Sequence, residues 1–129
     1  MPITIPDTSV VRGLIDRTTI IKAKVVAIAF TSSGHILARA TNKAIFGMGN
    51  KWSYHAEHML VNKLHKLKAR ERYGKIFVMV LRWSRSKMDW AMAKPCSNCE
   101  SILRKYGIEM VYYSDNDGNI VKHQSWKNN

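Results

Sequence analysis

Two short patterns, far apart in this chain, make chemical sense only if the fold brings them together. The first is His55-Ala56-Glu57 and the second is Pro95-Cys96-Ser97-Asn98-Cys99. They offer one imidazole nitrogen and two thiolates, a known tetrahedral zinc set whose fourth position goes to water when only three protein ligands exist. Glu57 is left over as a carboxylate free to move protons.

Each half has a local reason for its spacing. Cys96 and Cys99 are three positions apart, so on a helix they share one face and can chelate a single ion. Pro95 suits the first helical residue, where its missing N–H costs nothing. The thiols would then sit at the positive end of the helix, which lowers their pKa and favours the metal-binding form. In the other half, Ser53 is a candidate N-cap for a helix with apolar Ala56, Leu60, Leu64 and Leu67 at helical spacing. His55 and Glu57 fall in its first turn, about 200° of rotation apart, so both reach one site only if the helix aims its N-terminal end there. The expectation is two helix N-termini converging on one zinc ion.

Plainer readings exist. A lone Cys-x-x-Cys also serves thioredoxin-like redox chemistry, which would leave His55-Ala56-Glu57 unexplained. A closed structural zinc site needs a fourth protein ligand, which His35, His58, His65 or His123 would have to supply.

His-x-Glu followed by Pro-Cys-x-x-Cys is the signature of zinc-dependent base deaminases, and the chain resembles the cytidine deaminase superfamily. The resemblance implies that His55, Cys96 and Cys99 hold one zinc ion with water in the fourth position, and that Glu57 shuttles protons. It also implies that Asn42, after the apolar stretch Ile36 to Ala40, contacts the substrate sugar. Backbone groups near Ala56, Pro95 and Cys96 would orient the departing amine. The implied fold is a three-layer α/β domain over residues 1–129, a five-stranded mixed sheet with helices on both faces and the last two strands forming a hairpin. Relatives are often dimers or tetramers, so a homo-oligomer stays open, although no stretch here marks an interface.

A chain of 129 residues with 46% hydrophobic content suffices for one domain with a real core. Both cysteines lie in the motif, so no disulfide framework is expected and the compartment reads as reducing and cytoplasmic. The segment Met1 to Val10 has neither a basic start nor a long apolar run, so neither a signal peptide nor a membrane span is expected.

Charge bears on the substrate. There are 21 Lys and Arg against 9 Asp and Glu, formally +12. No acidic residue occurs from Arg17 through Ala56, and Arg82, Arg85, Lys87 and Lys94 crowd the approach to the cysteines. Such a surface suits a polyanion, since phosphate neutralisation drives nucleic-acid affinity; the plainer alternative is a basic protein with solvated helix faces. Trp83 and Arg85 are candidate substrate contacts, because aromatics beside cations stack bases and hold phosphates. Trp83 and Trp90 serve equally well as cover for the core edge.

Along the chain, Asp7 or Thr8 caps an expected helix through Val10, Val11, Leu14 and Ile15. Lys24 to Phe30 and Ile36 to Ala40 read as a hairpin through Ser33-Gly34, and residues 42–52 as a loop. Ile76 to Leu81 reads as a buried strand, and Arg82 to Lys94 as a connecting stretch. The cysteine helix ends at Gly107. Ile108 to Tyr113 and Ile120 to His123 are strands joined by the turn Asp115-Asn116-Asp117-Gly118.

By resemblance, the hairpin ending is that of free cytidine deaminases and toxin deaminases, whereas His55 as first ligand is that of nucleotide and nucleic-acid enzymes. Lys94, where tRNA adenosine deaminases have Glu, favours cytosine over adenine. The expected activity is hydrolytic deamination of cytosine on a phosphate-bearing substrate, a cytosine nucleotide or single-stranded DNA or RNA. The alternatives are a free-nucleoside deaminase and a non-catalytic zinc-stabilised nucleic-acid-binding module. A pure binding module has no need of Glu57.

Overall fold

Strand β1 (Ala23–Phe30) shows by its alternation how the molecule is layered. Val26, Ile28 and Phe30 face one side, and Ala27 and Ala29 face the other. Successive strand side chains point to opposite faces, so the small alanines create room on one side for a helix to lie close. The computed structural model describes residues 3–7, 23–41, 43–44, 53–84 and 89–126. The helix expected over Val10 to Ile15 lies outside them.

The sheet is built from β1, β2 (Ile36–Thr41), β5 (Phe77–Ser84), β7 (Met110–Ser114) and β8 (Ile120–Lys122), in the order β2-β1-β5-β7-β8. β5 and β7 run parallel; the other neighbours in that order are antiparallel. The expected closing hairpin is therefore present, as β7 and β8. Two expectations need correction. The Arg82 to Lys94 stretch is no mere connection: β5 continues to Ser84, and a sixth strand, β6 (Asp89–Ala91), folds back on it with Arg82 opposite Ala91. Within residues 42–52, Lys43–Ala44 (β3) pairs with Ser53–Tyr54 (β4) in a separate two-stranded ribbon. Both features depend on pairing between strands, which local composition does not report.

β6 and β7 share one edge of β5, with β7 beside Phe77 to Val80 and β6 beside Arg82 to Ser84. Ser114 joins them. Its buried Oγ accepts from the Arg82 N–H at 3.2 Å and donates to the Ala91 carbonyl at 2.6 Å.

Among the described residues, three helices cover the alanine side: α1 (Ala56–Leu67), α2 (Ala69–Tyr73) and α3 (Ser97–Tyr106). α1 buries Ala56, Leu60, Val61 and Leu64 at helical spacing, each leucine contributing roughly 1.5–3 kcal/mol by leaving water. α3 buries Cys99, Leu103 and Tyr106 and stops at Gly107, whose φ of 94° is the left-handed conformation that glycine adopts without strain. The opposite sheet face holds a second cluster, where Phe30 stacks on Phe77 and Trp83 meets Trp90 edge-on at 5.2 Å.

Candidate metal centre

α1 and α3 lie side by side with their N-terminal ends together, and the ligands sit where each helix begins. His55 is the N-cap of α1 and Cys96 the N-cap of α3, both with extended backbone, while Cys99 is one turn into α3. The caps differ from expectation: Ser53 belongs to β4 and Pro95 precedes the cap, so at both helices the cap position holds a ligand. Neither His55 nor Cys96 caps its helix through its side chain. Both are free to point at an ion.

His55 Nδ1 is 3.0 Å from Cys99 Sγ and 3.7 Å from Cys96 Sγ, and the three donor atoms lie within 4.8 Å of one another. Tetrahedral zinc with ordinary Zn–N and Zn–S bonds separates a nitrogen from a sulfur by about 3.6 Å. The donor set fits that ion. No other His, Cys, Asp or Glu joins the cluster among the described residues. His58 stacks at a tilt against His55, His65 lies edge-on to Tyr106, and His123 faces Glu100 at 2.9 Å. None of them closes the fourth position.

Cys99 is buried, whereas His55 and Cys96 border a cavity of about 290 Å³ lined also by Val25, Ala56, Glu57, Arg82, Met92, Ala93 and Lys94. Glu57 forms part of its wall and is only 5% exposed. Burial pushes the Cys99 thiol well above its ordinary range, and the Glu57 carboxylate, by charge and by hydrogen bonding, pushes it further the same way. The expected lowering by the helix end is therefore outweighed at Cys99. A coordinated metal deprotonates such a thiol outright, so its ionisation falls to the ion.

The signature of the family described as cytidine and deoxycytidylate deaminase zinc-binding region matches residues 10–115. The chain belongs to this family. Zinc is accordingly its metal, and His55, Cys96 and Cys99 are the three-ligand set available for it. Among solved structures, this chain is similar to the cytidine deaminase from Bacillus anthracis, at 18% identity over 89% of this chain and 78% of that one, with a TM-score of 0.62. The cytidine deaminase from Burkholderia pseudomallei aligns at 15% identity over 82% of this chain and 78% of that one, with a TM-score of 0.57. The dCMP deaminase from cyanophage S-TIM5, in complex with dCMP and dUMP, aligns at 21% identity over 84% of this chain and 76% of that one, with a TM-score of 0.52. Against the apo form of that phage enzyme the chain spans 66% of its length. These likenesses show the fold. Comparison with curated protein sequences finds no match.

The remaining site expectations divide. Ala56 lines the cavity. Trp83 does not: it is 6% exposed and packs with Trp90 in the cluster on the far face of the sheet. The reason is strand alternation, which turns Arg82 toward the helices and Trp83 away from them. Asn42 and Arg85 lie outside the described residues. Arg82 and Lys94 are cavity residues that the sequence singles out only as flanking charges; the signal for Arg82 was one polar residue interrupting the apolar run of β5. No helix among the described residues is long and apolar enough to cross a membrane.

Proposed function

We propose that this protein hydrolytically deaminates cytosine to uracil, releasing ammonia, on a phosphate-bearing substrate that is either a cytosine nucleotide or single-stranded nucleic acid. The observation that carries the reading is Glu57, a buried carboxylate in the wall of the cavity that His55 and Cys96 border. Bound zinc supplies Lewis acidity that brings the pKa of water toward neutrality. Glu57 accepts the proton of the attacking water and passes it to N3 of the ring and then to the leaving amine. A C–O bond forms at C4, the C4–N bond breaks, and ammonia leaves. Backbone groups around Ala56, Pro95 and Cys96 orient the amine.

Several features support the phosphate. The chain is strongly basic, Arg82 and Lys94 line the cavity, and the similar phage enzyme is described in complex with dCMP and dUMP. The β7–β8 hairpin favours a second reading, a free nucleoside, by likeness to cytidine deaminases. The test is to incubate zinc-loaded protein with cytidine, deoxycytidylate and a cytosine-containing single-stranded oligonucleotide and to follow uracil formation. Turnover of a phosphate-bearing compound, abolished by Glu57→Ala, is expected. Turnover of cytidine alone would transfer the assignment to the nucleoside, and turnover of none would remove catalysis.

A further inference from the structure

We infer that the far ends of α1 and α3 form a second ligand site, a basic cavity away from the metal centre that takes a hydrogen-bearing phosphate group. The inference goes beyond the reaction assigned above and does not depend on it.

α1 and α3 both begin at the metal ligands, and both end at this cavity. α1 alone runs 12 residues, so roughly 18 Å separates the two sites. The second cavity holds about 460 Å³, against about 290 Å³ at the metal centre, and the two share no lining residue. Its floor is Leu64 and Tyr106, both buried, with the His65 ring edge-on to Tyr106. Lys68, Arg70 and Lys105 bring cations to its walls, and Glu71 brings one carboxylate.

Two observations set these cations apart from an ordinary solvated patch. Arg70 is held in place: its Nη1 donates to the Tyr106 carbonyl at 3.0 Å, and its guanidinium lies so close over Gly107 that a Cβ there would meet Nη1 at 2.6 Å. Lys68 is held under strain. Among the described residues it is the one non-glycine with a positive φ, at 51°, and it ends α1 in the left-handed conformation that α3 gives to Gly107. Cations near helix C-termini offset the exposed carbonyls, which accounts for Lys105 on its own but asks for no lysine at the one backbone position where glycine would be unstrained. Among the described residues, Lys68, Lys105 and Glu71 have neither a side-chain hydrogen bond nor an ion pair. A strained backbone that sets an unpaired charge beside a pinned one, in a cavity, points to a ligand.

The charge balance selects that ligand. Three cations against one carboxylate leave two positive charges in excess, a match for a phosphate dianion. An ionised carboxylate only accepts hydrogen bonds, so Glu71 requires a donor from the ligand. Inorganic phosphate keeps a P–OH at neutral pH, a phosphate monoester keeps one only as its monoanion, and sulfate has none. The site therefore favours phosphate over sulfate. Simple attraction to a basic patch would not, since sulfate carries at least as much charge.

The test is calorimetry on the zinc-loaded full chain with inorganic phosphate, ribose 5-phosphate and sulfate, repeated with Lys68→Gly, Lys105→Gln, Glu71→Gln and Arg82→Gln. The wild type should bind phosphate more tightly than sulfate. Lys68→Gly and Lys105→Gln should each weaken phosphate binding about 5- to 20-fold, between the effects of exposed ion pairs and of charge-assisted hydrogen bonds. Glu71→Gln should abolish the preference over sulfate, and Arg82→Gln, in the metal-centre cavity, should leave phosphate affinity unchanged. Lys68→Gly should melt no lower than the wild type, because glycine relieves the left-handed backbone; lost affinity in a chain of undiminished stability is then a lost ligand contact. Binding of ribose 5-phosphate supports the site as one for a terminal phosphate, and binding of inorganic phosphate alone supports it as one for the free anion. Absence of phosphate binding, equal affinity for sulfate, or an affinity that Arg82→Gln lowers while Lys68→Gly and Lys105→Gln retain it overturns the inference.

Discussion

Replacing Glu57 by glutamine preserves the shape of a side chain that is 5% exposed and removes its capacity to take and release a proton. General acid–base groups contribute about 10²- to 10⁴-fold to rate. At 1.36 kcal/mol per tenfold, that raises the barrier by roughly 2.7–5.4 kcal/mol. The structure adds a second, independent expectation. After burial itself, the Glu57 charge is the largest influence holding the Cys99 thiol up, so glutamine eases thiolate formation and zinc is bound at least as well as in the wild type. Fold stability changes little, because the lost attraction between an acid and the first turn of α1 is worth about 0.3–1 kcal/mol and is offset by relief of a buried charge. The assay measures kcat with deoxycytidylate, zinc per chain by atomic absorption, and the melting temperature. The expected outcome is kcat down by two to four orders of magnitude with zinc retained. A kcat within tenfold of wild type would refute the proton-carrier role, and zinc lost together with activity would make Glu57 a support of the metal centre instead.

Cys96→Ala removes one of three ligands, and its zinc content should fall to background after dialysis, read by atomic absorption. Zinc affinity should rise with pH through the neutral range, about tenfold per unit for each proton displaced. The sign follows from the raised Cys99 thiol, which keeps its proton in the metal-free chain and must release it on binding; calorimetry across that range checks it. Ser114→Ala strips the Arg82 N–H of its acceptor and the Ala91 carbonyl of its donor, and should cost about 1–3 kcal/mol in urea denaturation. Gly107→Ala places a Cβ at a φ of 94° and 2.6 Å from Arg70 Nη1, which donates to the Tyr106 carbonyl. It should cost about 1–2 kcal/mol for the left-handed backbone alone, visible as a lowered melting temperature.

The metal centre was legible because its chemistry is local. Cys96 and Cys99 share a helical face by spacing alone, and a histidine two residues before a glutamate has few simpler explanations in company with that pair. Gly107 as helix stop and the Asp115 to Gly118 turn were legible for the same reason, since their conformations depend on adjacent residues. The exact caps were not. Ser53 is the better capping residue by propensity, yet β4 holds it in the ribbon with β3 and α1 begins after His55.

What remained hidden depends on residues distant in sequence. Trp83 and Arg82 are neighbours, and either could face a ligand in an isolated strand; the pairing of β5 with β1 and β6, with helices on one side, sends Arg82 to the cavity and Trp83 to the core. The ionisation of Cys99 turned the same way, because a helix end acts on any thiol placed there, whereas burial and the approach of Glu57 exist only once α1 and α3 are packed together. Ligand identity, helix and strand periodicity and net charge are properties of short segments, and they are enough to point to a zinc deaminase. Which cations line the cavity, and which group keeps its proton, are set by desolvation and by contacts across the sheet, and those arise only when the distant segments close on one another.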